Sequence, residues 1–328
     1  MNRCTGIGKP QISILMAVYE PRMDWLREQL CSLEAQTYPN LKLYIRDDCS
    51  PTVPFEEIRD CVQECIRTIP YEICRNEENL GSNGTFELLT KEADGAYFAY
   101  CDQDDVWLPE KLDALQECMS DRNAELVCSD MYVIDGAGNH VADSITHVRR
   151  HHVFRSGDGL AVGLLVSNFV TGCTMLVRSD TARRAVPFCP FMVHDQYLAI
   201  EAAVKGEIVS LRKPLIRYRI HGSNQTLAMA GVVDKASYLE VRINELIRRL
   251  SWLQVRFSED EELRNEISQA LRWAHARREN FEGSLSAKKL MWACRRFSPL
   301  TSLFEIVMAS MPNRIFMLAV DLKRKNIL

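Results

Sequence analysis

Residues 100–107, YCDQDDVW, carry three carboxylates, Asp102, Asp104 and Asp105, within four positions. Like charges that close raise one another's pKa and repel. The apolar run before them, residues 96–101, reads as a buried strand, so the acids gather where a core strand ends. Hard oxygen donors in such a cluster suit Mg2+ or Mn2+, and a divalent ion can hold a diphosphate and stabilise it as a leaving group. Two more apolar runs end in polar residues: Tyr19-Glu20 after residues 12–18, and Asp47-Asp48 after residues 41–46. A carboxylate there can accept a hydrogen bond from a ribose hydroxyl or a base N–H. Asp47-Asp48-Cys49-Ser50 equally fits an Asx-turn or a helix N-cap.

Transfer from a diphosphate to a hydroxyl also needs a general base across the site from the metal. Asp195, in His-Asp-Gln-Tyr-Leu ahead of the apolar LAIEAAV, should sit near a helix N-terminus, where it also fits a plain cap. In RYRIHGSNQT, residues 217–226, Arg217, Arg219 and His221 alternate and so share one face of a strand. A cationic face suits a diphosphate and an imidazole suits a metal; a turn with solvated charges is the ordinary alternative.

The elements that must position these groups alternate. Residues 12–18, 41–47, 71–75, 96–102 and 125–129 read as strands, with helical spacing over 23–35 (Leu26, Leu30, Leu33), after Pro54 (Ile58, Val62, Cys65), around Phe86 to Leu89 and after Pro109. That order implies βαβ units, an α/β class and a mainly parallel sheet. Ligands of such sheets bind beyond the C-terminal ends of the strands. Three separate polar clusters at three strand ends are therefore expected along one edge. From about residue 235 long helical stretches take over, with Val241, Ile247, Leu250 and Leu253 as one expected buried face. The chain reads as a catalytic domain over 1–230 and a helical region over 231–328.

At 328 residues, 47% hydrophobic and 26% charged, the composition is that of a globular protein, and a net charge of −4 argues against nucleic acid as a partner. Twelve cysteines lie scattered without CxxC pairs or zinc spacing, as in a reducing cytoplasm. The first ten residues lack the apolar core of a signal peptide. Residues 159–177 carry no charge, yet their Ser, Asn, Thr and Gly content favours a helix, a turn and a strand over a membrane span. Residues 288–325 carry eight basic and two acidic side chains among many large apolar ones, a mix that suits contact with an anionic membrane surface.

Seven pieces in order carry a resemblance: ISILMAVYE, LREQLCSLEAQTYPNLKLYIRDDCS, RNEENLGSNGTFELL, YCDQDDVWLPEKL, TGCTMLVR, HDQYLA and YRIHGSNQT. Over roughly residues 10–226 the chain resembles the family 2 glycosyltransferases of the GT-A fold, most closely bacterial rhamnosyltransferase-type members that build surface polysaccharides. The resemblance implies a GT-A Rossmann-like sheet flanked by helices with a C-terminal helical extension. It also implies an inverting, metal-dependent transfer, with Mg2+ or Mn2+ as cofactor. Asp102-Gln103-Asp104 looks like the DxD motif, with Asp104 as direct metal ligand and Asp102 near the ribose or donor sugar and also at the metal. Asp47 and Asp48 match the nucleoside-binding pair, Tyr19, Glu20, Asn79 and Gly81 the loops beside the base, Asp195 the catalytic base, and His221 a metal or diphosphate contact beside Arg219. Trp107 and Lys111 match the tail of the motif. Implied partners are a nucleotide-sugar donor, dTDP-L-rhamnose or a UDP-sugar, and a saccharide or lipid-linked acceptor, at the inner face of the cell membrane. The rival readings are a sugar nucleotidyltransferase, which should carry a Gly-rich loop where Ala17 to Pro21 stand, and a non-catalytic nucleotide-sugar-binding component of a polysaccharide assembly complex.

Overall fold

In a computed structural model the chain is described over residues 8–222 and 231–324, with side chains to residue 322. The elements in order are β1 (Ile12–Val18), α1 (Met23–Glu34), β2 (Leu41–Asp47), α2 (Phe55–Cys65), β3 (Tyr71–Arg75), α3 (Gly81–Glu92), β4 (Tyr97–Cys101), β5 (Val106–Trp107), α4 (Lys111–Arg122), β6 (Leu126–Ile134), β7 (His140–Ala142), α5 (Ile145–Val148), α6 (Ala161–Leu164), β8 (Met175–Arg178), α7 (Ser179–Arg184), α8 (His194–Lys205) and β9 (Ile208–Arg219). The helices α9 (Lys235–Tyr238), α10 (Glu245–Arg256), α11 (Glu261–Phe281), α12 (Leu285–Ala293), α13 (Pro299–Met308) and α14 (Asn313–Arg324) follow.

The strands form one sheet in the order β3-β2-β1-β4-β8-β6-β9-β5, with β7 on β6. β3, β2, β1 and β4 are all parallel, as are β6 and β9, whereas β8 runs antiparallel to both β4 and β6. β1 and β4 are apolar along almost their whole length because helices cover both faces of a parallel sheet. Leu26, Leu30 and Leu33 of α1 are fully buried at the expected helical spacing, each worth about 1.5–3 kcal/mol of burial. Residues 159–177 fold as the short α6, a 3-10 turn at Gly172–Thr174 and the start of β8. No described helix is long and apolar enough to cross a membrane.

Register explains where the polar strand ends go. Val18 pairs with Asp47 and Met16 with Cys101, so β1, β2 and β4 exit side by side. Because β8 opposes β4, the turn entering β8 lies beside the exit of β4. β9 runs parallel to β6 and pairs with β5 through Arg217 and Val106, which brings the residues after Arg219 to the segment before Val106.

The described chain divides into two compact units. The first holds the chain to Leu160 together with Phe169–Phe188 and His194–His221; the second holds Ala161–Asn168, Cys189–Val193 and the chain from Gly222 onward. The second unit thus takes in two short segments that lie well inside the sequence-based boundary at residue 230. Its buried helical face also departs from expectation. Ile243, Leu246, Leu250 and Leu253 are buried, while Val241 is 37% exposed. A π-helical stretch at Leu239–Asn244 shifts the phase by about one residue, so the buried stripe starts at Ile243.

Glu305 is fully buried in this unit. Its carboxylate accepts bonds from the Arg277 guanidinium at 2.7 and 2.6 Å and from the Tyr238 hydroxyl at 2.7 Å. Removing one partner of a buried ion pair leaves the other charge uncompensated. Glu305→Ala is expected to lower stability by about 3–5 kcal/mol, read as a drop in the urea midpoint. A change under about 1 kcal/mol would contradict the buried pairing.

Candidate functional site

The acids of DQDD separate by environment once folded. Asp105 is fully buried, and one of its oxygens accepts the backbone N–H of Arg219 at 2.9 Å. Its other oxygen has no hydrogen-bond partner among the described residues. Burial, then the charges of Asp104 and Asp102, push Asp105 well above the usual carboxylate range. Burial, followed by Asp104 and Asp195, raises Asp102 to about 7. Asp104 is half-buried and meets His221, its Oδ2 lying 2.7 Å from the imidazole Nε2. Three acids at one strand end therefore do not behave alike: one braces β9, one is held close to neutral pH, and one faces an imidazole.

Asp102, Asp105 and Cys173 bring ligand atoms within 4.8 Å of one another. Burial pushes the Cys173 thiol well up, with Asp105 and Asp102 adding to the shift, so it is a neutral, soft neighbour rather than a donor for a hard cation. Lys111 is fully buried beside this group. Its ammonium lies 3.1 Å from the Trp107 ring centroid and donates to the Cys173 carbonyl. Burial lowers Lys111 to about 7, against the pull of nearby thiols and acids. The donor set fits a divalent ion: Asp102 and Asp104 supply hard oxygens, and a buried Asp105 oxygen is left without a partner.

Asp195 sits in the first turn of α8 and is almost wholly buried. Its Oδ2 accepts the backbone N–H of Gly172 at 3.0 Å. A Cβ at Gly172 would meet His194 Nε2 at 2.8 Å, so only glycine lets this turn approach α8. His194 packs against Phe86 and Tyr100, with ring centroids 4.3 and 5.3 Å away, and its Nε2 has no partner among the described residues. Burial holds His194 down at about 3. Its depressed pKa contributes stability above the unfolded value near 6.5, and that contribution drains away as pH falls towards 3. Wild type is expected to lose about 2 kcal/mol between pH 8 and pH 5 through this group. His194→Leu should flatten that limb of a stability-against-pH curve; an unchanged slope would show that His194 is not buried and neutral.

The nucleoside-side residues divide. Asp48 accepts from Asn76 Nδ2 at 2.7 Å and from the Leu80 N–H at 2.8 Å. Asn79 accepts the Gly81 N–H at 3.1 Å, and Gly81, at φ +69°, starts α3 in a conformation that glycine favours. Tyr19 is half-exposed at the rim. Gln103 clamps that loop twice, accepting from the Tyr19 N–H at 2.7 Å and donating to its carbonyl at 2.9 Å.

Three expected ligand contacts are otherwise engaged. Asp47 is fully buried and accepts from the Ser50 hydroxyl at 2.6 Å, the Asx-turn alternative, because its side chain points into the strand-end turn. Glu20 is turned by its own φ of +45° towards the next loop, where it binds the Thr52 hydroxyl and the N–H groups of Thr52 and Val53. Those Thr52 bonds hold its carboxyl below the usual range. Arg219 is 1% exposed. Its guanidinium donates to the Asp104 carbonyl at 2.8 Å, pairs with Glu28 and lies 5.1 Å from the Trp25 ring. Arg217 is exposed, so the two arginines do not form one open cationic face. Arg219 is a brace for Asp104. Ser223 to Thr226 of the same motif lie outside the described residues.

The sequence gives no role to Trp25, Asn76 or Gly172, and none to Gln103 beyond its place in the DxD-like motif. Trp25 stands 4.8 Å from the His221 ring, centroid to centroid. Only Gln103 had a local signal, lying between two acids; the others reach the site through pairing over long stretches of chain.

The family model described as "Glycosyl transferase family 2" matches residues 13–183. An uncharacterized glycosyltransferase of a Nostoc species is 25% identical over 232 residues, 69% of this chain and 69% of its own. The dTDP-rhamnosyl transferase RfbG of Shigella flexneri is 25% identical over 244 residues, 68% of this chain and 76% of its own. S. aureus TarS 1-349, solved in complex with UDP-GlcNAc, superposes with a TM-score of 0.57 at 16% identity, over 97% of this chain and 84% of that one. The mannosyltransferase PcManGT from Pyrobaculum calidifontis, solved with GDP-Man and Mn2+, gives 0.53 at 14% identity, over 97% and 88%.

Proposed function

The chain belongs to glycosyl transferase family 2 and is a glycosyltransferase of the GT-A fold, and from that premise we propose that it moves a sugar from a nucleotide-sugar donor to a hydroxyl with inversion at the anomeric carbon. The observation that carries the reading is the convergence of Asp48, Asp102, Asp104, Asp195 and His221 at the edge where β1, β2, β4 and β9 exit. Asp195, held by the Gly172 N–H, takes the acceptor hydroxyl proton. The acceptor oxygen then bonds to the anomeric carbon as the bond from that carbon to the diphosphate breaks, and the electron pair leaves with the nucleoside diphosphate.

Asp48, with Tyr19, Asn79 and Gly81 near it at the rim, receives the nucleoside. Asp102, Asp104 and His221 are the residues that would hold Mg2+ or Mn2+. The cation, when bound, neutralises the diphosphate and eases its departure. Arg219 holds the Asp104 carbonyl, and Asp105 in turn fixes the Arg219 backbone. The likeness to RfbG supports dTDP-L-rhamnose as the first donor to try and a hydroxyl of a growing surface polysaccharide or lipid-linked oligosaccharide as the acceptor.

The test is nucleoside diphosphate release by the full chain from a panel of dTDP-, UDP- and GDP-sugars, with Mn2+ or Mg2+ and with chelator. Slow release from one donor that chelator abolishes is the expected result. Release unaffected by chelator removes the metal from the reading. No release from any donor, together with no heat of nucleotide binding on titration, overturns the reading.

A further inference from the structure

Helices α13 and α14 expose large apolar side chains to water. α13 buries Ser302 and Glu305 while exposing Leu300, Leu303 and Val307, which recur at i, i+3 and i+7. α14 buries Phe316 and Val320 in the usual way, yet Met311 just before it and Ile315 and Leu318 on it are also exposed. These six apolar side chains are between 36 and 74% exposed. Single exposed apolar residues are ordinary, but two successive rows of them mark an interaction surface.

The charges on α12 to α14 are mainly positive, with Asp321 the one exposed acid among the described residues there. Lys288, Lys289, Arg295 and Arg314 have no acidic partner among the described residues. The acids of residues 285–322 are Glu305, buried against Arg277, and Asp321. A second copy meeting this face through a two-fold axis would bring Arg295 and Arg314 up against a like-charged patch. Aliphatic rows rimmed by unpaired cations instead match an anionic bilayer, where the apolar side enters the acyl boundary and the cations meet the headgroups. No described helix can span the bilayer, so the contact lies along its surface.

We propose that α13 and α14 form a docking face for the surface of an anionic lipid membrane. The inference goes beyond the transfer chemistry, and its deciding readout, flotation, involves no sugar nucleotide. Full-length protein is floated with phosphatidylcholine vesicles that either contain or lack phosphatidylglycerol. Two double variants are compared with wild type: Leu303→Asp with Ile315→Asp, and Arg295→Glu with Arg314→Glu. Circular dichroism verifies that each is folded.

Wild type is expected to float with phosphatidylglycerol vesicles, more weakly at raised salt, and each double variant to lose about tenfold or more in partitioning. Donor hydrolysis in solution should be unchanged in both, since none of these residues belongs to the transfer site. Failure of wild type to float with anionic vesicles overturns the proposal, as does equal flotation of folded variants. So does a wild-type dimer in light scattering that the Leu303/Ile315 variant abolishes, which would assign the face to a second copy of the chain.

Discussion

Asp195→Asn is expected to lower turnover by about 10²–10⁴, the range a positioned general base supplies. Asparagine has the shape of aspartate, and its amide oxygen can still accept the Gly172 N–H that now reaches Asp195 at 3.0 Å. The fold at the β8 entry should therefore survive, and what is lost is the ability to take a proton. That separates chemistry from binding: kcat should fall while the affinity for the donor nucleotide, measured by titration, stays within about threefold, because the step removed belongs to the transition state. A variant with wild-type kcat would show that Asp195 is only the cap of α8. A variant weakened equally in nucleotide binding and turnover would make Asp195 a structural residue. Gly172 belongs to the same prediction in reverse, since any side chain there meets His194 before it reaches Asp195.

Asp104→Asn is the second large effect. Asp104 Oδ2 lies 2.7 Å from His221 Nε2, and the guanidinium of Arg219 holds the Asp104 backbone carbonyl. Asparagine keeps an acceptor for an imidazole N–H but removes the charge that would attract a divalent cation. Donor hydrolysis is expected to fall by about 10²–10³, equivalent to about 3–4 kcal/mol of lost stabilisation on the leaving diphosphate. The Mn2+ concentration for half-maximal activity should rise in the same variant, and excess Mn2+ should restore part of the rate. A rate that falls with no change in the Mn2+ dependence would place Asp104 away from the cation. Arg219→Lys supplies the contrast: it keeps a charge but loses the fork that reaches both the Asp104 carbonyl and Glu28, so it should act through His221 and Asp104 with a milder loss.

The alternation of strands and helices was legible in local pattern, as in the continuous apolar runs of β1 and β4 and the Leu26, Leu30, Leu33 spacing of α1. Periodicity is a short-range property, and burial by neighbouring helices enforces it here. The short β5 was not legible, because two residues carry no period, and the π-helical stretch that starts the buried stripe at Ile243 leaves no local signature either.

By itself the sequence determined that polar residues follow β1, β2 and β4, and that those ends share one edge, since parallel strands joined by helices must exit on the same side. Only the tertiary structure decided which of those residues turn outward. Asp47 folds back onto Ser50, Glu20 caps the Thr52 loop and Arg219 braces Asp104, because the direction of a side chain at a strand end is set by the loop and partners that receive it. Likewise the meeting of Gly172 with Asp195, and of Asp105 with the Arg219 N–H, depends on β8 opposing β4 and on β9 pairing with β5. Pairings between segments so far apart in the chain are chosen by the packing of the whole sheet, and no stretch of sequence contains them.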